Sequence, residues 1–179
     1  MENYAKGDTE AFNALYTRNK APLYRYFLRQ TQYSNQAEEL SQDVWTKVIR
    51  ARKNYQSSAK FTTYLYQIAH NHLVDHIRKQ SVRIVEAQDT SITELDPPVR
   101  SKQQPENELE SQQDQALILN LVKQLPEAQR EVFILKEEAG LDLHDIASIT
   151  ATGVETVKSR LRYALAKLRE GLVETYERT

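Results

Sequence analysis

From Val154 to Leu172 the apolar residues Val157, Leu161, Ala164, Leu165, Leu168 and Leu172 recur at helical spacing along one stripe. That pattern predicts a helix with one buried face. Its other faces carry Lys158, Arg160, Arg162, Lys167 and Arg169. Upstream, Pro126 suits the first turn of a helix, where a missing N–H costs nothing. Gly140 suits that helix's end. Asp142, with Asp145 three residues on, suits the N-cap of a short helix over about 143–150. Two helices joined by a short turn, the second basic at its exposed start, make a helix-turn-helix. Ala147 is small where the two would cross, and Val157 and Leu161 would lock the second helix in place. Residues 155, 156, 158, 159, 162 and 163 would then face outward, offering hydroxyls, ammonium and guanidinium to bases and phosphates.

The first 80 residues also read as helical, because no segment alternates at strand period between turn signals. Glu10 to Asn19 predicts one helix with Phe12, Leu15 and Tyr16 inward, and Pro22 opens a second with Leu23, Tyr26 and Phe27. Asn35 with Glu38 resembles a capping box. The helix it starts, about 36–52, buries Leu40, Val44 and Val48 and presents Glu39, Gln42, Asp43 and Thr46 on its opposite side. NYQSSAK reads as a loop. A last helix, about Thr62 to Lys79, takes Phe61, Leu65, Ile68 and Leu73 as core contacts and leaves Asn71, Asp75 and Arg78 on one exposed face.

The middle breaks this periodicity. VEAQDTSITELDPPVRSKQQPENELESQQDQ is rich in Gln, Ser, Asp and Glu, holds three prolines and has few large apolar residues. It reads as a flexible acidic linker over 85–114, since a structureless loop that long is rare inside a compact domain. The expected fold is therefore all-α: two small helical domains, 1–84 and 115–179, the second containing the helix-turn-helix.

Charge follows the same division. The formal net charge is only −1, yet residues 1–80 carry +5 and residues 81–120 carry −5. Within 156–170 there are five basic residues and one acid. Local stripes therefore say more about nucleic acid than the overall balance does. Twelve of the fifteen aromatics precede residue 67, several beside basic residues, as in Tyr24-Arg25-Tyr26 and Lys60-Phe61. Stacking rings and basic side chains are what single-stranded nucleic acid needs. Most of these rings read as core, and those in or beside the 53–64 loop are the better functional candidates.

Other chemistry is scarce. There is no cysteine, which excludes disulfides and thiolate metal sites. No apolar run of about 20 residues predicts a membrane span, and MENYAKGDTEAF lacks a signal-peptide pattern. Together these point to the cytoplasm. His70, His72, Asp75 and His76 include a metal-capable i, i+4 pair. No general-base Glu sits between the pair, so no metal, cofactor or catalytic site is expected, and the protein reads as a non-enzyme.

The segment AEELSQDVWTKVIRARKNYQSSAKFTTYLYQIAHNHLVDHIRKQ resembles the core-binding and promoter-melting domain of bacterial RNA polymerase sigma factors of the extracytoplasmic-function group. LPEAQREVFILKEEAGLDLHDIASITATGVETVKSRLRYALAKLREGL is similar to their C-terminal promoter-binding domain. The two matches stand in the family's order. The resemblance implies a promoter-specific initiation factor that binds core RNA polymerase and directs it to −10 and −35 elements. Glu39, Gln42, Asp43 and Thr46 would grip the clamp coiled coil of the largest polymerase subunit. Lys60, Phe61, Asn71, Asp75, Arg78 and Lys79 would bind the −10 element, with Asn71 and Asp75 reading the separated strand and an unpaired base held by the loop 54–61. Lys158, Ser159, Arg162 and Tyr163 would contact the −35 element. Thr156 and Arg160 would hold phosphates or cap the helix. An anti-sigma protein is the implied restraining partner.

The chain departs from the family pattern at three places. Tyr64 stands where Trp is usual. Tyr163 replaces a residue that is often basic. Ala151 occupies the usual glycine position of the turn, where a left-handed conformation would cost alanine about 1–2 kcal/mol; a turn of different shape is therefore expected. The rival reading is a conventional helix-turn-helix regulator, which would need a sensory or receiver domain in front.

Overall fold

The computed structural model describes residues 1–56, 59–86 and 109–177. They form two compact units, within Met1–Pro98 and Val99–Thr179, and every regular element among the described residues is helical.

The first unit contains α1 (Glu2–Ala5), α2 (Thr9–Thr31), α3 (Ser34–Arg50), a 3₁₀ turn (Ala51–Asn54) and α4 (Phe61–Glu86). Asp8 caps α2 by accepting the backbone N–H of Ala11 at 3.1 Å. The helix then runs unbroken through Pro22, which corrects the expectation of two separate helices. An interior proline removes a backbone bond and crowds the preceding turn, at about 3 kcal/mol. Packing along both halves of the helix offsets that cost. Before Pro22, Phe12 and Tyr16 meet Trp45 of α3, with ring centroids 6.0 and 5.0 Å apart. After it, Leu23, Tyr26 and Phe27 are fully buried. Tyr16, expected inward, keeps 39% of its surface exposed despite its contact with Trp45.

Helix α3 starts at Ser34, and the capping box read from Asn35 and Glu38 is not formed. The N-cap is Tyr33, with no side-chain cap bond, and Asn35 accepts instead from the amide of Gln36. The periodicity holds regardless: Ala37, Leu40, Val44, Trp45 and Val48 are buried. Helix α4 supplies Leu65, Tyr66, Ala69 and Leu73 to the same core. Tyr66 meets Tyr26 edge-on at 5.5 Å. This helix continues past Lys79 to Glu86.

The second unit contains α5 (Leu109–Gln124), α6 (Glu127–Glu137), α7 (Leu143–Ile149) and α8 (Val154–Tyr176). Helix α8 packs against each of the other three. Pro126 serves as the N-cap of α6, one residue before the position expected. Gly140 takes a left-handed φ of +63° between α6 and α7. Helix α5 comes close enough to α8 that a side chain at Gly171 would strike Leu121. The core is Val122, Leu125, Val132, Ile134, Leu135, Leu141, Ile146, Ala147, Ile149, Val157, Ala164 and Leu168. Leu165, read as part of the buried stripe, is 43% exposed. The stripe is narrower than its apolar composition implied.

Both α4 and α5 reach into the stretch read as a linker. Residues 87–108 of that reading lie outside the described residues.

Candidate polymerase and promoter interfaces

Helix α3 turns one face wholly inward, which forces its polar residues out. Glu39, Gln42, Asp43 and Thr46 are all exposed on it. The Thr46 hydroxyl donates to the carbonyl of Gln42 at 2.9 Å, which fixes its position. The Asp43 carboxylate, 54% exposed, lies 3.0 Å from Nε2 of His72 on α4. The other ring nitrogen of His72, Nδ1, lies 2.8 Å from Nζ of Lys47. His72 and Lys47 were not singled out from the sequence as parts of this surface. They stand 25 residues apart, on different helices, and no local pattern links them. Burial, and then the charge of Lys47, holds the His72 imidazole below its ordinary pKa, against the opposing pull of Asp43.

Helix α4 carries Asn71, Asp75, Arg78 and Lys79 on its exposed side. Asn71 accepts from the side-chain amide of Gln67 at 3.5 Å. At the start of the helix, Tyr64 meets Tyr55 edge-on at 5.0 Å and Phe61 at 6.3 Å. Tyr64 thus supplies an aromatic anchor where Trp is usual, and burial raises its phenol pKa. Lys60 is exposed and Phe61 half-buried. Both line an open hollow with Met1, Glu2, Asn3, Tyr55 and Ala59. The contribution of residues 1–3 was missed in the sequence, because nothing local ties them to a loop more than 50 residues away.

In the second unit, Asp142 caps α7 by accepting from the amides of His144 at 3.0 Å and Asp145 at 2.8 Å. Helix α7 ends in a turn where Ala151 takes φ +50°. This corrects the expected change of turn shape: alanine adopts the left-handed conformation that glycine favours. Helix α8 then presents Thr156, Lys158, Arg162 and Tyr163. Ser159 and Arg160 are half-buried, so they sit at the edge of that face. The Arg162 guanidinium lies 5.2 Å from the Tyr163 ring, a cation–π contact that orients it. Lys158 pairs with Glu155 at 2.7 Å in an exposed i, i+3 bridge, weak enough to exchange for a phosphate.

The described residues contain no group of three or more His, Cys, Asp or Glu placed to hold a metal ion. No helix among them is long and apolar enough to cross a membrane.

The architecture is that of a two-unit helical protein with a helix-turn-helix in its second unit. Residues 15–83 match the family model described as Sigma-70 region 2, and residues 115–168 match Sigma-70, region 4. The chain is 30% identical to the RNA polymerase sigma-H factor of Pseudomonas aeruginosa, over 90% of this chain and 86% of that one. It is also 30% identical to the ECF RNA polymerase sigma-E factor of Haemophilus influenzae, over 90% and 87%. The Escherichia coli K12 ECF sigma-E factor is 29% identical, over 90% and 86%. Among solved structures, the sigma factor RpoE in complex with the anti-sigma factor NepR from Bartonella quintana aligns with a TM-score of 0.74 at 21% identity, covering 91% of this chain and 97% of that one. CnrH in complex with the cytosolic domain of CnrY aligns at 0.67 and 19% identity, covering 95% and 92%. At such identities these two show the fold alone. The chain belongs to the sigma-70 family of RNA polymerase sigma factors, in its extracytoplasmic-function group. Its function is to direct RNA polymerase to promoters, and it is not an enzyme. This membership sets aside the conventional helix-turn-helix regulator.

Proposed function

We propose a division of labour between the two units. The first, residues 1–84, docks on core polymerase through Glu39, Gln42, Asp43 and Thr46, with the clamp coiled coil of the largest subunit as partner. The observation that carries this is the α3 face itself, a polar stripe exposed opposite a fully buried one. All four side chains are exposed among the described residues, and Asp43 is held in place by His72 of α4. Asn71 and Asp75 then read bases of the melted −10 strand, supported by Arg78, Lys79 and Lys60, with Phe61 beside the hollow that receives an unpaired base. Melted bases expose edges and faces that a duplex hides.

The second unit, residues 115–179, docks on the −35 duplex. Lys158, Ser159, Arg162 and Tyr163 contact it, and Thr156 and Arg160 hold phosphates or the helix start. The acidic linker, 85–114, sets the reach between the units. An anti-sigma protein restrains the free factor; the complex of the similar RpoE structure with the anti-sigma factor NepR supports that reading. The protein acts in the cytoplasm, where polymerase is.

The deciding experiment is in vitro transcription. Sigma-free bacterial core polymerase is given fragmented genomic DNA, with and without this protein, and the transcript starts are sequenced. Discrete starts sharing two upstream motifs at fixed spacing are expected. Discrete starts whose positions are unchanged by disruption of the α8 contacts would overturn the −35 assignment.

A further inference from the structure

Asp43 and Lys47 stand one turn apart on α3, in the i, i+4 order that favours a direct ion pair. They do not pair directly, because the His72 ring of α4 stands between them. Its Nε2 lies 3.0 Å from Asp43 Oδ2 and its Nδ1 lies 2.8 Å from Lys47 Nζ. A lysine ammonium can only donate, so Nδ1 must accept. The ring proton is then on Nε2, where it donates to the carboxylate. The two neighbours thus select one neutral tautomer, and the ring serves as a spacer with a donor on one side and an acceptor on the other. Only 15% of the His72 side chain is exposed, against 54% for Asp43. The spacer is held by the fold while the carboxylate it holds faces outward.

We propose that His72 is a positioning residue for polymerase binding: it keeps Lys47 off Asp43 and presents the Asp43 carboxylate in one orientation on the α3 surface. Without it, Lys47 closes on Asp43 and the carboxylate must be freed and ordered at each binding event. The bridge also ties the docking face of α3 to α4, the helix that carries Asn71 and Asp75. Polymerase docking and promoter reading thereby share one hydrogen-bonded joint. The proposal rests on the reading of α3 as the polymerase-binding face.

The test titrates the full-length protein against sigma-free core polymerase. His72→Leu is expected to weaken binding about three- to tenfold, the scale of immobilising a freed side chain. His72→Gln should stay near wild type, because its amide can donate to Asp43 and accept from Lys47. Lys47→Ala in the His72→Leu background should recover most of the loss, which a merely structural role of His72 would not produce. Where His72→Leu does not fold, His72→Ser repeats the comparison. Asp43→Ala separates the two ideas. If it leaves affinity unchanged, the polymerase-binding reading of Asp43 fails. If it weakens binding while His72→Leu does not, or while Lys47→Ala rescues nothing, the positioning role alone is overturned.

Discussion

The backbone amide of Thr152 donates to the carbonyl of Ala147 at 3.0 Å, and this bond wraps the chain around the end of α7. The Thr150 and Thr152 hydroxyls, 3.0 Å apart, brace the same turn. The closure holds Ala151 at φ +50°, a region that an alanine enters at about 1–2 kcal/mol. The helix-turn-helix keeps its shape and carries the strain.

Ala151→Gly should therefore stabilise the second unit. Relief of the left-handed strain outweighs the greater freedom glycine has when unfolded, about 0.5–1 kcal/mol. A net gain of about 0.5–1 kcal/mol is expected, a rise of several degrees in melting temperature for a unit of this size. An unchanged or lower melting temperature would contradict the strained turn.

Asp142→Ala removes the acceptor for two amides at the start of α7. A loss of about 1 kcal/mol is expected, within the 0.5–2 range for such caps, and Asp142→Asn should recover most of it. Urea unfolding of the two variants followed by circular dichroism checks this.

Pro22→Ala restores a backbone donor in the middle of α2. Alanine is about 3 kcal/mol better than proline in a helix interior, less about 0.4–1 kcal/mol for the looser unfolded chain. The first unit should gain about 2 kcal/mol. Trp45, the sole tryptophan and buried in that unit, reports its unfolding by fluorescence without signal from the second unit.

His72 predicts a pH dependence. Its folded pKa lies below the ordinary 6.5, so the unfolded chain takes up the proton first. The sign follows from linkage: the contribution is complete above about 6.5 and is lost as pH falls through the folded value. The groups facing the ring are Asp43 and Lys47 from α3 and His76 from α4 itself. The urea midpoint seen by Trp45 should fall between pH 7.5 and 5.5 more in wild type than in His72→Gln. Equal slopes would mean that His72 does not carry the effect.

Arg162→Ala should weaken promoter binding by about 1–3 kcal/mol and relax preference at one position of the −35 element, if the guanidinium reads a base bidentately. A uniform loss across sequences, with a shallower salt dependence, would mean a phosphate contact instead. Binding of duplex promoters mutated one base pair at a time distinguishes the two.

Short-range signals make much of this molecule legible in its sequence. The helical periods of α3 and α8, the Asp142 cap, the break at Gly140 and the exposed faces of Glu39 to Thr46 and Asn71 to Arg78 each arise within a few turns of one helix. The chemistry of a cap or an amphipathic stripe is complete within that distance. Tertiary packing decided what depends on partners remote in sequence. It kept α2 whole through Pro22, because Trp45 and the core reward a continuous helix. It left Leu165 outside, because the crossing of α8 with its neighbours covers only part of the apolar stripe. It held Ala151 left-handed, because α7 and α8 must both pack. It also set His72 between Asp43 and Lys47, a meeting across 25 to 29 residues that exists only once α3 and α4 lie side by side.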